Sequence, residues 1–189
     1  MSLLLVLALG AGSLLTAASA GRVAVAVQDP CAMLSDEEVR AVQGQRPAEK
    51  VRSEQQSGLF RLVQCFYRTP DSTSSVSVAL AVPAASDNKR SGPREYWRQR
   101  FHGLPEATPV GKTKEPPLPQ DGLGEEAFWV GDPVDGAIYV LEGPLFLRLS
   151  PGGQSEGKLK RERARALAGH VLARLGGAPV DARRGSLAE

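Results

Sequence analysis

The chain has 189 residues, of which 42% are hydrophobic and 23% charged, and its formal net charge is +2. That length suits one domain with its own core, and a charge so near neutral sets up no global field of the kind that draws nucleic acid. With two histidines and two cysteines, the chain lacks the ligand set of a transition-metal site.

Residues 3–20 read LLLVLALGAGSLLTAASA and end on Ala18-Ser19-Ala20. Small residues at −3 and −1 fit a signal peptidase, so cleavage after Ala20 is expected. A spanning helix needs about 20 firmly apolar residues, and this stretch is broken by Gly10 and Gly12. No Lys or Arg precedes Arg22, which leads us to expect a leader that starts further upstream. Cys31 follows Gln28-Asp29-Pro30, not the small residues that precede a lipidated cysteine. The expectation is therefore a secreted or periplasmic protein with no transmembrane span in its mature form. Residues 1–20 are the signal peptide, 21–28 a linker, 29–175 a single globular domain and 176–189 a disordered tail.

Cys31 and Cys65 are the only cysteines. In an exported chain such a pair predicts one disulfide, which stabilises by about 3.5–4 kcal/mol in the chain-entropy account. Neither lies in a Cys-x-x-Cys motif or beside a histidine, which argues against redox, nucleophilic or metal roles.

Ser35-Asp36-Glu37-Glu38 is a capping-box pattern. It opens a helix that buries Met33, Leu34, Val39 and Val42 and stops at Gly44. Residues 59–68 (LFRLVQCFYR) read as a strand. In 75–82 (SVSVALAV), Val76, Val78, Leu80 and Val82 alternate with small residues, the pattern of a strand with one buried face. The two make a hairpin. Pro93 stands at the start of a second helix, with Trp97 and Phe101 on one side. From Gly103 to Gly124 the five prolines at 105, 109, 116, 117 and 119 predict a long mobile loop that joins no sheet. Strands at 126–130, 137–141 and 145–149 form a meander through turns at 132–136 and 142–144. A last helix spans 157–175, with Ala164, Leu167, Ala168, Val171 and Leu175 on one side. The order α-β-β-α-β-β-β-α predicts an α+β fold. An antiparallel sheet of about five strands packs with three helices as an α/β/α sandwich.

Catalytic signals are weak. Nucleophilic hydrolysis needs a nucleophile, a base and an orienting acid, and there is no Gly-x-Ser-x-Gly elbow. His102 and His170 read as packing or surface residues. Gly122-x-Gly124 leads into a strand, not the helix start that a phosphate loop requires. Glu125 and Glu126 read as an exposed pair, because neighbours on a strand point to opposite faces. No catalytic residue, metal ligand or cofactor is assigned.

Asp29-Pro30-Cys31-Ala32-Met33-Leu34-Ser35, followed by Glu37-Glu38-Val39, is similar to the start of a family of small bacterial proteins. These are mostly actinobacterial exported proteins and lipoproteins of unknown function. Cys65 on the first strand, Gly122-Leu123-Gly124-Glu125-Glu126-Ala127 and the closing helix extend the resemblance over about residues 29–175. The resemblance implies the sandwich of the PsbP-like photosystem proteins and an accessory or carrier role without catalytic residues. The absence of a lipidation cysteine departs from the family's lipoprotein members.

The leading expectation is a non-catalytic exported or cell-envelope binding domain. Its partner would be an envelope protein, a cell-wall polymer or an apolar ligand. The candidate surface comprises Leu104 and Leu118 in the long loop, Trp97 on the second helix, and Lys158, Arg161 and Arg165 on the last. A lipid carrier is the alternative, and it needs a cavity lined by residues such as Trp97, Phe128 and Leu147. A small hydrolytic enzyme is the second alternative.

Overall fold

A computed structural model describes residues 28–57, 60–84, 92–103, 116–131, 136–153 and 157–176. The chain enters through a short 3-10 turn at Pro30–Ala32, capped by Asp29, whose carboxylate accepts from the Cys31 amide. Helix α1 (Asp36–Gln43) follows. Its capping box is complete: Ser35 accepts from the Glu38 amide while Glu38 accepts from the Ser35 amide at 2.8 Å. Three acidic residues in the first turn suit the positive helix start. Gly44, at φ +82°, closes the helix with its amide on Arg40 O, a conformation that costs glycine nothing.

Among the described residues the sheet has seven strands, all paired antiparallel, against the expected antiparallel sheet of about five. They are β1 (Glu49–Gln56), β2 (Phe60–Arg68), β3 (Val76–Pro83), β4 (Leu118–Pro119), β5 (Glu126–Val130), β6 (Ala137–Glu142) and β7 (Leu145–Pro151). Their order across the sheet is β1-β2-β3-β7-β6-β5-β4. Two antiparallel blocks, β1–β3 and β4–β7, are therefore fused by the β3–β7 pairing.

The two added strands are at the edges. β1 reads EKVRSEQQ and is exposed along its whole length. It lacks the buried face that produces apolar alternation, and only its ladder with β2 defines it. In β4, Leu118 and Pro119 pair with Trp129 and Phe128. Part of the proline-rich segment thus does join the sheet, against expectation. An edge strand uses the hydrogen-bonding groups of only one side, so a proline without an amide is tolerated there. Residues 104–115 of that loop lie outside the described residues.

Helix α2 (Pro93–His102) and helix α3 (Gly157–Arg174) complete the fold. The strands alternate across the sheet plane. Val63, Cys65, Tyr67, Val76, Val78, Leu80, Val140, Leu147 and Leu149 form one core with Val39 of α1 and Ala164, Leu167, Ala168 and Val171 of α3. Phe60, Ala81, Leu141 and Phe146 point the other way and pack with Trp97 of α2. Helix α2 lies over the seam between the two blocks, touching β3 and β7.

Cys31 and Cys65 are disulfide-bonded, joining the entry turn to β2. Beside the bridge, the buried Tyr67 hydroxyl donates to Pro30 O at 2.6 Å and accepts from the Leu34 amide at 3.1 Å. Glu38 links α1 to α3 through His170 at 3.1 Å and Arg174 at 2.9 Å. Among the described residues no helix is long and apolar enough to cross a membrane.

Candidate functional site

The sheet face that carries α2 is built in two halves. One half is apolar: Trp97 and Phe101 of α2 interlock with Phe128 and Phe146, and Phe101 stacks on Phe128 with centroids 4.6 Å apart. Polar contacts fix the helix above them. Arg94 forks onto the Glu125 carboxylate at 2.9 and 3.0 Å and donates to Gly143 O. Donating these hydrogen bonds to Glu125 raises the pKa of the Arg94 guanidinium above its ordinary value. Glu126 Oε2 accepts from the Trp97 indole at 2.6 Å and meets His102 Nε2 at 2.9 Å.

Glu125 and Glu126 therefore both grip α2: Glu125 is exposed as expected and Glu126 half-buried, but the two do not turn to opposite faces. The alternation rule applies within a strand, and Glu125 stands just before β5. There the positive φ of Gly124 (+55°) brings the backbone against Leu141 O, where a Cβ would collide. Chemically, the His102–Glu126 pair is a base with an orienting acid. Among the described residues no hydroxyl or thiol hydrogen-bonds to either.

The other half of this face is polar. Cross-strand pairing aligns Phe66, Ser77 and Ser150 in one row across β2, β3 and β7, and Gln64, Ala79, Arg148 and Tyr139 in the next. Arg148 stands on β7, the central strand of the seven. Its Nε donates to the Tyr139 hydroxyl at 3.1 Å, and its guanidinium lies 5.8 Å from the Tyr139 ring centre. Arg100 of α2 covers the same ring at 4.9 Å, so the helix reaches as far as Tyr139. Beyond it, the rows descend into a recess of about 410 Å³ at the ends of β3 and β7. Phe66, Ser72, Ser75, Ser77, Arg148, Ser150 and Lys160 line it, with no acidic residue among them. The Ser150 hydroxyl donates to Gly136 O at 2.8 Å. The Ser77 hydroxyl is buried without a hydrogen-bond partner.

Of the residues singled out from sequence, the described ones lie in three places. Trp97 is 2% exposed and belongs to the aromatic cluster. Leu118 is exposed on the edge strand β4. Lys158, Arg161 and Arg165 lie on α3, whose buried side packs on the opposite sheet face. Lys158 is exposed near Glu162, while Arg161 and Arg165 are half-buried. Leu104 lies outside the described residues. Trp97 and Phe128 line no common cavity with Leu147, which is buried on the far side of the sheet.

Arg148 and Ser77 escaped the sequence reading. Their signal is nevertheless present: Arg148 is the one charged residue in LFLRLSP, and it shares a face with Phe146, not with the leucines. No protein-family model matches the chain, and a search of curated proteins finds no match.

Proposed function

We propose that this protein is a non-catalytic exported or cell-envelope binding domain that binds through the polar half of the sheet face beside α2. The observation that carries the reading is the placement of Arg148, Ser77 and Ser150 on the two central strands. A sheet face closed by packing is apolar, as the half under α2 is, whereas a polar centre costs stability unless water or a ligand meets it. The disulfide supports an oxidising compartment, where such bonds persist. The resemblance of the Asp29-Pro30-Cys31 start and of the Gly122–Ala127 segment to small exported actinobacterial proteins points the same way, as does the accessory role it implies.

Site-directed photocrosslinking on intact cells tests both parts. A crosslinker placed at Gln64 on the polar half should yield a discrete adduct outside the cytoplasmic membrane. The same group at Glu162 on α3 should yield none. Adducts from Glu162 alone would move the binding surface to the basic helix, and a product retained in the cytoplasm would refute export.

A further inference from the structure

We propose that the recess at the ends of β3 and β7 binds a phosphate ester, held by Arg148 and Ser77. The proposal rests on the reading of this sheet face as the binding surface and names the chemistry of what it takes.

Three features converge. The first is an uncompensated cation. Arg148 spends its Nε on the Tyr139 hydroxyl, and among the described residues no carboxylate pairs with it. A half-buried guanidinium flanked by Ala79 and Tyr139 across the ladder is partly desolvated, so an anion at its free fork gains more than it would in water. The second is the Ser77 hydroxyl, which sits across β3–β7 from Ser150 and is buried without a partner. Such a group costs about 1–3 kcal/mol until something accepts its proton. The third is the character of the lining: besides Ser75 and Ser150, whose hydroxyls are engaged within the fold, it holds Ser72, Ser77, Arg148 and Lys160, with no Asp or Glu. Hydroxyl and N–H donors around a cation match the several acceptor oxygens of a phosphate. Lys160 reaches the recess from the first turn of α3, the positive end of that helix. At about 410 Å³ the recess exceeds the needs of a bare ion, and the half-buried Phe66 gives an apolar wall for the organic part of an ester.

Amide-resolved NMR titration of the full chain with inorganic phosphate and with glycerol 3-phosphate, at constant ionic strength, tests this. Saturable shifts are expected at Phe66, Ser77, Arg148, Ser150 and Gly152, with the ester binding at least as tightly as the ion. Arg148→Gln should weaken binding at least tenfold. Ser77→Ala should weaken it severalfold without lowering the melting temperature of the free protein, because it deletes only an unpartnered hydroxyl. That second variant carries the test if Arg148→Gln unfolds. Non-saturating shifts, shifts spread along α3, equal binding by both variants, or equal binding of acetate would each overturn the proposal. Vesicles then separate two sources of the same chemistry. Arg148-dependent binding to phosphatidylglycerol but not phosphatidylcholine vesicles identifies a lipid headgroup. Binding of glycerol 3-phosphate without vesicle binding identifies a soluble or polymer-borne ester. Crosslinks at Gln64 without any phosphate response would sink this inference and leave the binding-domain reading intact.

Discussion

Replacing Tyr67 by Phe removes one oxygen and, by the geometry seen here, strands two backbone groups. The hydroxyl donates to Pro30 O and accepts from the Leu34 amide, so it holds both ends of the entry turn on β2. Tyr67 is fully buried, and water has no access to replace the lost atom. An orphaned buried donor or acceptor costs about 1–3 kcal/mol. Allowing for relaxation of the turn, Tyr67→Phe should destabilise by about 2–4 kcal/mol. At about 2–4 °C per kcal/mol for a domain of this size, the melting temperature falls by about 5–15 °C. Urea denaturation of the oxidised protein measures the first figure and calorimetry the second. Tyr139→Phe is the control: its half-buried hydroxyl accepts only from Arg148, and its loss should cost less than about 1 kcal/mol. The pH dependence adds a signature. Burial pushes the Tyr67 phenol up to about 12, while in the unfolded chain it titrates near its ordinary value of about 10. The unfolded state loses its proton first, so this contribution is complete below about pH 10 and fades as pH rises towards about 12. Tyr67→Phe should lack that alkaline decline. A variant within about 0.5 kcal/mol of the parent, with the same alkaline profile, would refute the assignment of the turn's anchoring to this phenol.

Opening the Cys31–Cys65 bridge, with a sequence separation of 34, should cost about 3–4 kcal/mol, read as the difference in urea midpoint between the oxidised protein and the Cys31→Ser/Cys65→Ser variant. Burial alone would raise the Glu38 carboxyl, but the Ser35 amide, Arg174, the Ser35 hydroxyl and His170 together hold it below its usual range. Its contribution is therefore present above the ordinary carboxylate pKa and is lost as pH falls through the lowered value. Glu38→Gln should destabilise by about 1–2 kcal/mol at neutral pH and show a shallower acid decline in thermal melts. Gly136→Ala should destabilise by about 2 kcal/mol or more, because its methyl group would land on the buried Trp129 ring. Tryptophan fluorescence during unfolding reads that change.

Wherever one segment contained both the cause and its consequence, the structure could be read from the sequence. The capping box at Ser35–Glu38 is closed by atoms three residues apart. In 75–82 each valine or leucine states its own face, and all four point into the α3 core. The β5–β6–β7 meander follows from its short turns, and α3 from its apolar stripe. Where the cause lies far along the chain, the reading failed. Strand β1 is defined by carbonyls and amides of β2, not by its own eight exposed residues, and β4 exists because β5 offers it an edge. Glu125 and Glu126 acquire their role from α2, about thirty residues earlier. The recess depends most on the tertiary structure, because the pairing of β3 with β7 brings Ser77 opposite Ser150, with Arg148 in the next row. Local propensity, capping and periodicity are properties of neighbouring residues, so the amino-acid sequence alone determined the helices, the buried strands and the cysteine pair. Long-range strand pairing is chosen by the free energy of the whole sheet, so only the tertiary structure decided its edges, the grip on α2 and the polar ground beside it.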